Sequence, residues 1–164
     1  MFAGTASTHR SRILIGIVAG GFLAGAFDIA YAFIWFGMKN LSPLWVLQSV
    51  ATGIMGAGAF KAGWTSGALG LAAHLLITIV AAAIYFLASL QLRFLVTRPW
   101  LNGALFGVMV YLFMNFVVLP LSAIPFKMSY PPGALLQGFV SHAVLVGMPI
   151  AWCIRWAGMK TEAR

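Results

Sequence analysis

Residues 66–90 read SGALGLAAHLLITIVAAAIYFLASL, a stretch of 25 residues without one charged side chain. A helix of that length is about 37 Å long, which is enough to cross the roughly 30 Å hydrocarbon core of a bilayer. The group in it that titrates near neutral pH is His74. The stretch therefore predicts a transmembrane helix that holds an ionisable side chain inside the membrane.

The composition of the whole chain agrees with this prediction. The chain has 164 residues, of which 62% are hydrophobic and 7% are charged, and its mean hydropathy is +0.99. A soluble domain carries roughly 25% charged residues, and a small domain leaves much of its surface exposed. Residues 1–164 are therefore predicted to form a single all-α transmembrane helical-bundle domain whose main partner is the lipid bilayer.

Four segments are long and apolar enough to cross the membrane, at residues 13–37, 66–90, 101–121 and 133–157. The first resembles a signal peptide, because Arg10 and Arg12 precede it and AYA at 30–32 resembles a cleavage site. Its apolar run continues through FIWFGM at 33–38, which is too long for a typical signal peptide. We expect it to remain as a helix.

The segment PLWVLQSVATGIMGAGAF, residues 43–60, is the ambiguous one. Basic residues concentrate on the cytoplasmic side of membrane proteins. Four spans put seven basic residues on one side and three on the other, whereas five spans give four against six. The sequence favours four spans with both termini cytoplasmic, and 43–60 as an interfacial or re-entrant helix on the outer side. The seven are Arg10, Arg12, Arg93, Arg98, Arg155, Lys160 and Arg164, and the three are Lys39, Lys61 and Lys127.

Four polar side chains lie inside the predicted spans: Asp28, His74, Asn115 and His142. Counted from the helix ends, all four are within roughly 9–14 Å of the outer boundary. Charged groups at such depth are costly and normally face the bundle interior. The sequence therefore predicts one polar layer in the outer half of the membrane, which is the candidate site for a ligand or a proton.

The spacing of small residues suggests two similar helical hairpins, at 13–90 and 101–157. In helices one and three, two glycines lie four residues apart, and the polar residue follows eight residues after the second glycine. Helices two and four each contain GxxxH. Glycine-rich membrane helices also produce such spacing without a duplication, so both interpretations stay open. The two rows are Gly16, Gly20, Ala24, Asp28 and Gly103, Gly107, Tyr111, Asn115, and the two steps are Gly70 to His74 and Gly138 to His142.

Four strings carry a resemblance to known proteins: GFLAGAFDIAYA, SPLWVLQSVATGIMG, GVMVYLFMNFVVLPLSAIP and GFVSHAVLVGMPIA. Together, over about residues 13–157, they resemble a group of small four-span bacterial inner-membrane proteins. The second half is more distantly similar to the YagU-type proteins, whose segment between the first two spans is longer than residues 38–65. The resemblance implies a bacterial cytoplasmic-membrane location and names no substrate.

Several function classes find no support in the chain. The net charge of +8 comes from basic residues scattered singly, which does not favour a nucleic-acid partner. Cys153 is the single cysteine, so an intramolecular disulfide is excluded. Asp28 and Glu162 are the two acids, and no catalytic, metal-binding or phosphate-binding motif appears. We expect a non-catalytic protein without a metal.

Three functions remain open. The first is an accessory or scaffold subunit of a larger membrane complex, with the polar layer fixing helix register and no cofactor. The second is a homo-oligomer that binds or translocates a proton or a small polar solute, covered by the helix that carries Gln48, Ser49 and Thr52. The third is a haem b protein with His74 and His142 as axial ligands, for which Ser141 or Thr78 would accept a ring N–H.

Overall fold

The computed structural model describes residues 3–127 and 129–162, and within them the regular structure is helical with no strand. Eight α-helices are joined by one 3₁₀ segment and two π-helical segments. The α-helices are α1 Ala3–Gly37, α2 Pro43–Met55, α3 Gly63–Gln91, α4 Phe94–Thr97, α5 Pro99–Phe113, α6 Leu119–Leu121, α7 Pro132–Ser141 and α8 Met148–Glu162; the 3₁₀ segment is Gly56–Lys61 and the π segments are Met114–Val118 and His142–Gly147.

The π segments interrupt helices without ending them, so 99–121 is one continuous helix and 132–162 is another. Both begin at a proline, which is well placed there because the first turn of a helix has no use for its backbone N–H. Within the described residues, five helices are long and apolar enough to cross a membrane, and one of them is the ambiguous 43–61 segment. Length and composition alone thus admit five crossings, where the sequence favours four.

Glycines allow α1 to pack closely on two antiparallel neighbours. A Cβ added at Gly25 would lie 2.6 Å from the Thr78 hydroxyl of α3, and one added at Gly16 would lie 2.6 Å from the Ala157 Cβ of α8. The 99–121 helix packs in the same way on the 132–162 helix, since a Cβ at Gly103 would lie 2.9 Å from the Ala151 Cβ. In lipid there is no hydrophobic driving force between helices, so the close packing that glycines allow holds them together through dispersion contacts.

These contacts also define two ends of the bundle. Because α1 and the 99–121 helix both run antiparallel to 132–162, residues 37 and 121 lie at the same end, together with the start of α3. We name it the α2 end. The opposite end carries residues 92–98 and is named the α4 end.

The α2 helix spans the α2 end of the bundle. Near its start, Trp45 packs on Phe36 of α1 with ring centroids 5.8 Å apart. Its middle lies on α3 at Gly70, where an added Cβ would collide with the backbone of Leu47. Near its end, the Gly53 carbonyl accepts a hydrogen bond of 3.1 Å from Ala123, just after the 99–121 helix. Both ends of α2 therefore contact the same end of the bundle.

A closed apolar core fills the half of the bundle nearer the α4 end. Its residues come from α1, α3 and the 132–162 helix, and their exposed fractions are 8% or less. Tyr85 is the largest of them and is 1% exposed. The set is Ala24, Ala81, Ala82, Tyr85, Val146, Ile150, Ala151 and Ile154.

Side chains from three helices bind the short helix α4. The Asn102 amide donates to the Phe94 carbonyl at 2.6 Å, and the Tyr85 hydroxyl donates to the Leu95 carbonyl at 2.8 Å. The Arg155 guanidinium donates to the next two carbonyls at 3.1 and 2.7 Å. All four carbonyls of α4 are thus paired, which fixes this connection between α3 and the 99–121 helix.

Candidate functional site

The structure brings three of the four predicted polar residues together. The Asp28 carboxyl of α1 lies with Oδ2 3.8 Å from His74 Nε2 of α3 and with Oδ1 3.9 Å from His142 Nδ1 of the 132–162 helix. The exposed fractions of the side chains are 16% for Asp28, 14% for His74 and 21% for His142. We call these three residues the Asp–His cluster. It joins three helices at one depth.

The hydrogen bond of His74 identifies its proton. Nε2 lies 3.1 Å from the backbone carbonyl of Gly25. A carbonyl oxygen only accepts, so Nε2 carries the hydrogen and the ring of a neutral His74 keeps its lone pair on Nδ1. The contact is possible because Gly25 has no side chain between the two helices.

A similar argument applies to His142. The Ser141 hydroxyl donates to the Gly138 carbonyl at 3.1 Å, so its oxygen accepts from His142 Nδ1, 3.4 Å away. Nδ1 therefore carries the hydrogen in neutral His142. The Tyr111 ring packs edge to face on the imidazole with centroids 5.0 Å apart, in the space that Gly138 leaves open. Both histidines thus turn an N–H-bearing nitrogen toward the carboxyl of Asp28.

Two of the four predicted residues lie in π-helical segments. His142 is the first residue of His142–Gly147, and Asn115 is the second of Met114–Val118. Such segments are rare and occur frequently at functional sites, because the wider turn frees backbone groups and redirects side chains. No feature of the sequence indicated them.

Asn115, the fourth predicted residue, makes its hydrogen bonds away from the Asp–His cluster in the described part of the chain. Its side-chain amide donates to the backbone carbonyl of Tyr111, four residues earlier, at 2.9 Å. Its backbone carbonyl accepts from the Tyr130 hydroxyl at 2.7 Å. The wider π turn allows this bond back to its own helix. Tyr111, which touches His142, takes the place expected of Asn115. The four-residue spacing of Gly103, Gly107 and Tyr111 was the signal that could have identified it.

The supporting polar residues of α2 do not reach the Asp–His cluster through their hydrogen bonds. Gln48 donates to the Gly63 carbonyl at 3.1 Å and lies 3.4 Å from the Ser66 hydroxyl. Ser49 and Thr52 donate to carbonyls of their own helix at 2.7 and 2.6 Å. They stabilise α2 and its junction with α3, rather than covering the cluster with a polar face.

The cluster does not fit the haem interpretation. The Asp28 carboxyl lies beside His74 Nε2 and His142 Nδ1, so these two nitrogens do not face each other across an open gap for an iron. His74 Nε2 is engaged with a carbonyl and has no lone pair to offer. Ser141 does contact His142 as that interpretation requires, whereas Thr78 bonds to carbonyls of its own helix at 3.3 and 3.0 Å.

Comparison of the chain with protein-family models, with curated proteins and with solved structures found no match. The chemistry of the site is therefore argued from its own residues. A carboxyl between two imidazoles, partly buried and shared by three helices, can hold helices in register and can exchange protons.

Proposed function

We propose that the protein is a non-catalytic, multi-pass accessory or scaffold subunit of a bacterial cytoplasmic-membrane complex. The observation that carries the proposal is the position of the Asp–His cluster directly above a closed apolar core. The cluster ties α1, α3 and the 132–162 helix together at one depth. Polar contacts of this kind in membranes average about 0.6 kcal/mol each, so the two contacts of Asp28 add a modest bias toward one helix register to that of the glycine packing.

The packing below the cluster argues against a conduit. One turn toward the α4 end from Asp28 lies Ala24, which is 0% exposed, and one turn from His142 lies Val146, which is 2% exposed. Further along, Tyr85 and Ile150 continue the same core. An ion or a polar solute would lose its hydration there without receiving a partner. The geometry favours an assembly role over translocation.

The accessory role has a direct test. Native mass spectrometry of the protein, extracted gently from its host membrane, should show a complex with other subunits. A monomer or homo-oligomer alone, combined with uptake of a solute into proteoliposomes, would contradict the scaffold role and favour the solute-binding alternative. The resemblance to small four-span and YagU-type proteins supports the bacterial cytoplasmic membrane as the location in this proposal.

For the topology we propose four crossings, with α2 lying across the outer surface and both termini in the cytoplasm. The support is that the start, middle and end of α2 contact the α2 end of α1, of α3 and of the 99–121 helix, respectively. If α2 crossed the membrane, its two ends would lie at opposite surfaces, separated by the hydrocarbon core of roughly 30 Å. The bias of basic residues toward the α4 end agrees.

Single-cysteine labelling distinguishes four from five crossings. In a Cys153→Ala background, cysteines at positions 39, 61 and 127 should all react with a membrane-impermeant maleimide added outside intact cells. A cysteine at position 93 should react only after the membrane is opened, and it serves as the control. Five crossings would put positions 39 and 61 on opposite sides, so labelling of one without the other would overturn the topology.

A further inference from the structure

We propose that the Asp–His cluster is a proton-binding site, in which Asp28, His74 and His142 together bind one proton beyond the two ring hydrogens. The proposal goes beyond the assembly role. It would stand even if no partner subunit existed, because it rests on the charges of the cluster alone.

At the depth of the cluster, the surrounding helices contribute one acidic side chain and no basic one other than the two histidines. Asp28 is the one acidic residue in the sequence between positions 11 and 158. Around it, α3 contributes His74, the 132–162 helix contributes His142, and the 99–121 helix contributes Tyr111, which packs on His142. The sequence of α2, PLWVLQSVATGIM, has no ionisable side chain. No Lys or Arg is therefore available within this group to balance the carboxylate.

The net charge of the cluster depends on whether it binds one added proton. With both histidines neutral and Asp28 ionised, the cluster carries one uncompensated negative charge in the membrane, which is costly. One added proton makes the cluster neutral, whether it resides on the carboxyl or on an imidazole. The separations of 3.8 and 3.9 Å are short enough for a strong attraction between a carboxylate and an imidazolium. The one-proton state is therefore the electrically neutral state of the cluster.

The hydrogen bonds of the cluster indicate which of its atoms can accept a proton. His74 Nε2 and His142 Nδ1 already carry hydrogens, which go to Gly25 and Ser141. The acceptors that remain are His74 Nδ1, His142 Nε2 and the oxygens of Asp28. Because both rings lie beside one carboxyl, a proton on any acceptor changes the affinity of the other two. Interacting groups of this kind titrate with shared, macroscopic steps.

The cluster is more exposed than the residues one helical turn deeper. The three side chains keep exposed fractions of 14–21%, whereas Ala24 and Val146, one turn deeper, are 0% and 2% exposed. The apolar core closes the side of the cluster that faces the α4 end, which leaves the α2 side as the route for a proton. The site binds protons without conducting them.

The chain offers an unusually clean background for the test. It has two acids and three histidines, so His9→Gln combined with Glu162→Gln leaves the cluster as the source of every carboxyl and imidazole signal from side chains. In lipid vesicles that contain no other protein, infrared difference spectra report the carboxyl of Asp28 and solid-state ¹⁵N NMR reports the protonation of each ring nitrogen. Both are followed from pH 4 to pH 9.

We expect the Asp28 carboxyl band and both histidine signals to change over a common pH interval. At high pH, His74 should carry its hydrogen on Nε2 and His142 on Nδ1. Asp28→Asn should reduce the proton affinity of both histidines at least tenfold, because the neighbouring anion is removed. Asp28→Glu keeps the carboxylate and should leave the affinity within about threefold of the wild-type value.

Two results would overturn the proposal. One is that the histidines and Asp28 titrate over separate intervals in the protein with its cluster intact. The other is that Asp28→Asn leaves both histidine titrations unchanged. If Asp28→Asn does not fold, the common interval in the intact cluster and the Asp28→Glu variant still decide the question. Loss of partner subunits in the mass spectrum would affect the assembly proposal and leave these titrations as they are.

Discussion

Gly147→Ala is expected to lower the free energy of unfolding by about 3 kcal/mol or more, at the upper end of what overpacking costs. Gly147 lies in the π segment of the 132–162 helix and faces the 99–121 helix. A Cβ added there would collide with the Gly103 carbonyl oxygen and would lie 2.6 Å from the Gly107 nitrogen. Both atoms belong to backbone, so relief requires the two helices to separate. Reversible unfolding in mixed detergent micelles measures the change.

Gly158→Ala in the same helix is the matched control. No atom lies within 4 Å of a Cβ added at Gly158, and alanine favours a helix by up to about 1 kcal/mol relative to glycine. The control should therefore be as stable as the wild-type protein or slightly more so. If Gly147→Ala were equally stable, the 99–121 and 132–162 helices would not be in backbone contact, and the position of His142 beside Asp28 would also be in doubt.

The helices were predictable from sequence because length and apolarity alone constrain a membrane span. The predicted 66–90 helix is Gly63–Gln91 in the structure, and the predicted 101–121 helix is 99–121. The depth of Asp28, His74 and His142 was predictable for the same reason, since each residue adds a constant rise along a helix. Their meeting follows once all three face the interior.

The interactions that were missed depend on local geometry that residue spacing does not encode. A π segment places an extra residue in one turn, and the amide of Asn115 bonds within its own helix there. The pairing of Asn102 and Arg155 with carbonyls of α4 depends on how a short loop helix lies between its neighbours. Backbone carbonyls are present at every residue, so no side-chain pattern indicates which ones will be bound.

Tyr85→Ala is expected to destabilise the protein by about 3–5 kcal/mol, the usual cost of removing a large aromatic side chain from a core. Tyr85 is 1% exposed and packs edge to face on Phe106 with ring centroids 4.9 Å apart. Its hydroxyl also holds the Leu95 carbonyl of α4. Tyr31→Ala is the control, because Tyr31 is half-buried and stacks on Trp35 at 6.3 Å; its cost should stay below about 1 kcal/mol.

Tyr85→Phe separates the two contributions of this residue. It keeps the ring in the core and removes the hydrogen bond to Leu95, whose carbonyl is left with the Asn102 amide at 3.4 Å. We expect a loss of about 1 kcal/mol in the free energy of unfolding. In detergent, trypsin should also cut faster after Arg93, the exposed residue just before α4, because α4 has lost one of its anchors. Unchanged cleavage with unchanged stability would mean that α4 is held by Asn102 and Arg155 alone, and that Tyr85 acts only as core.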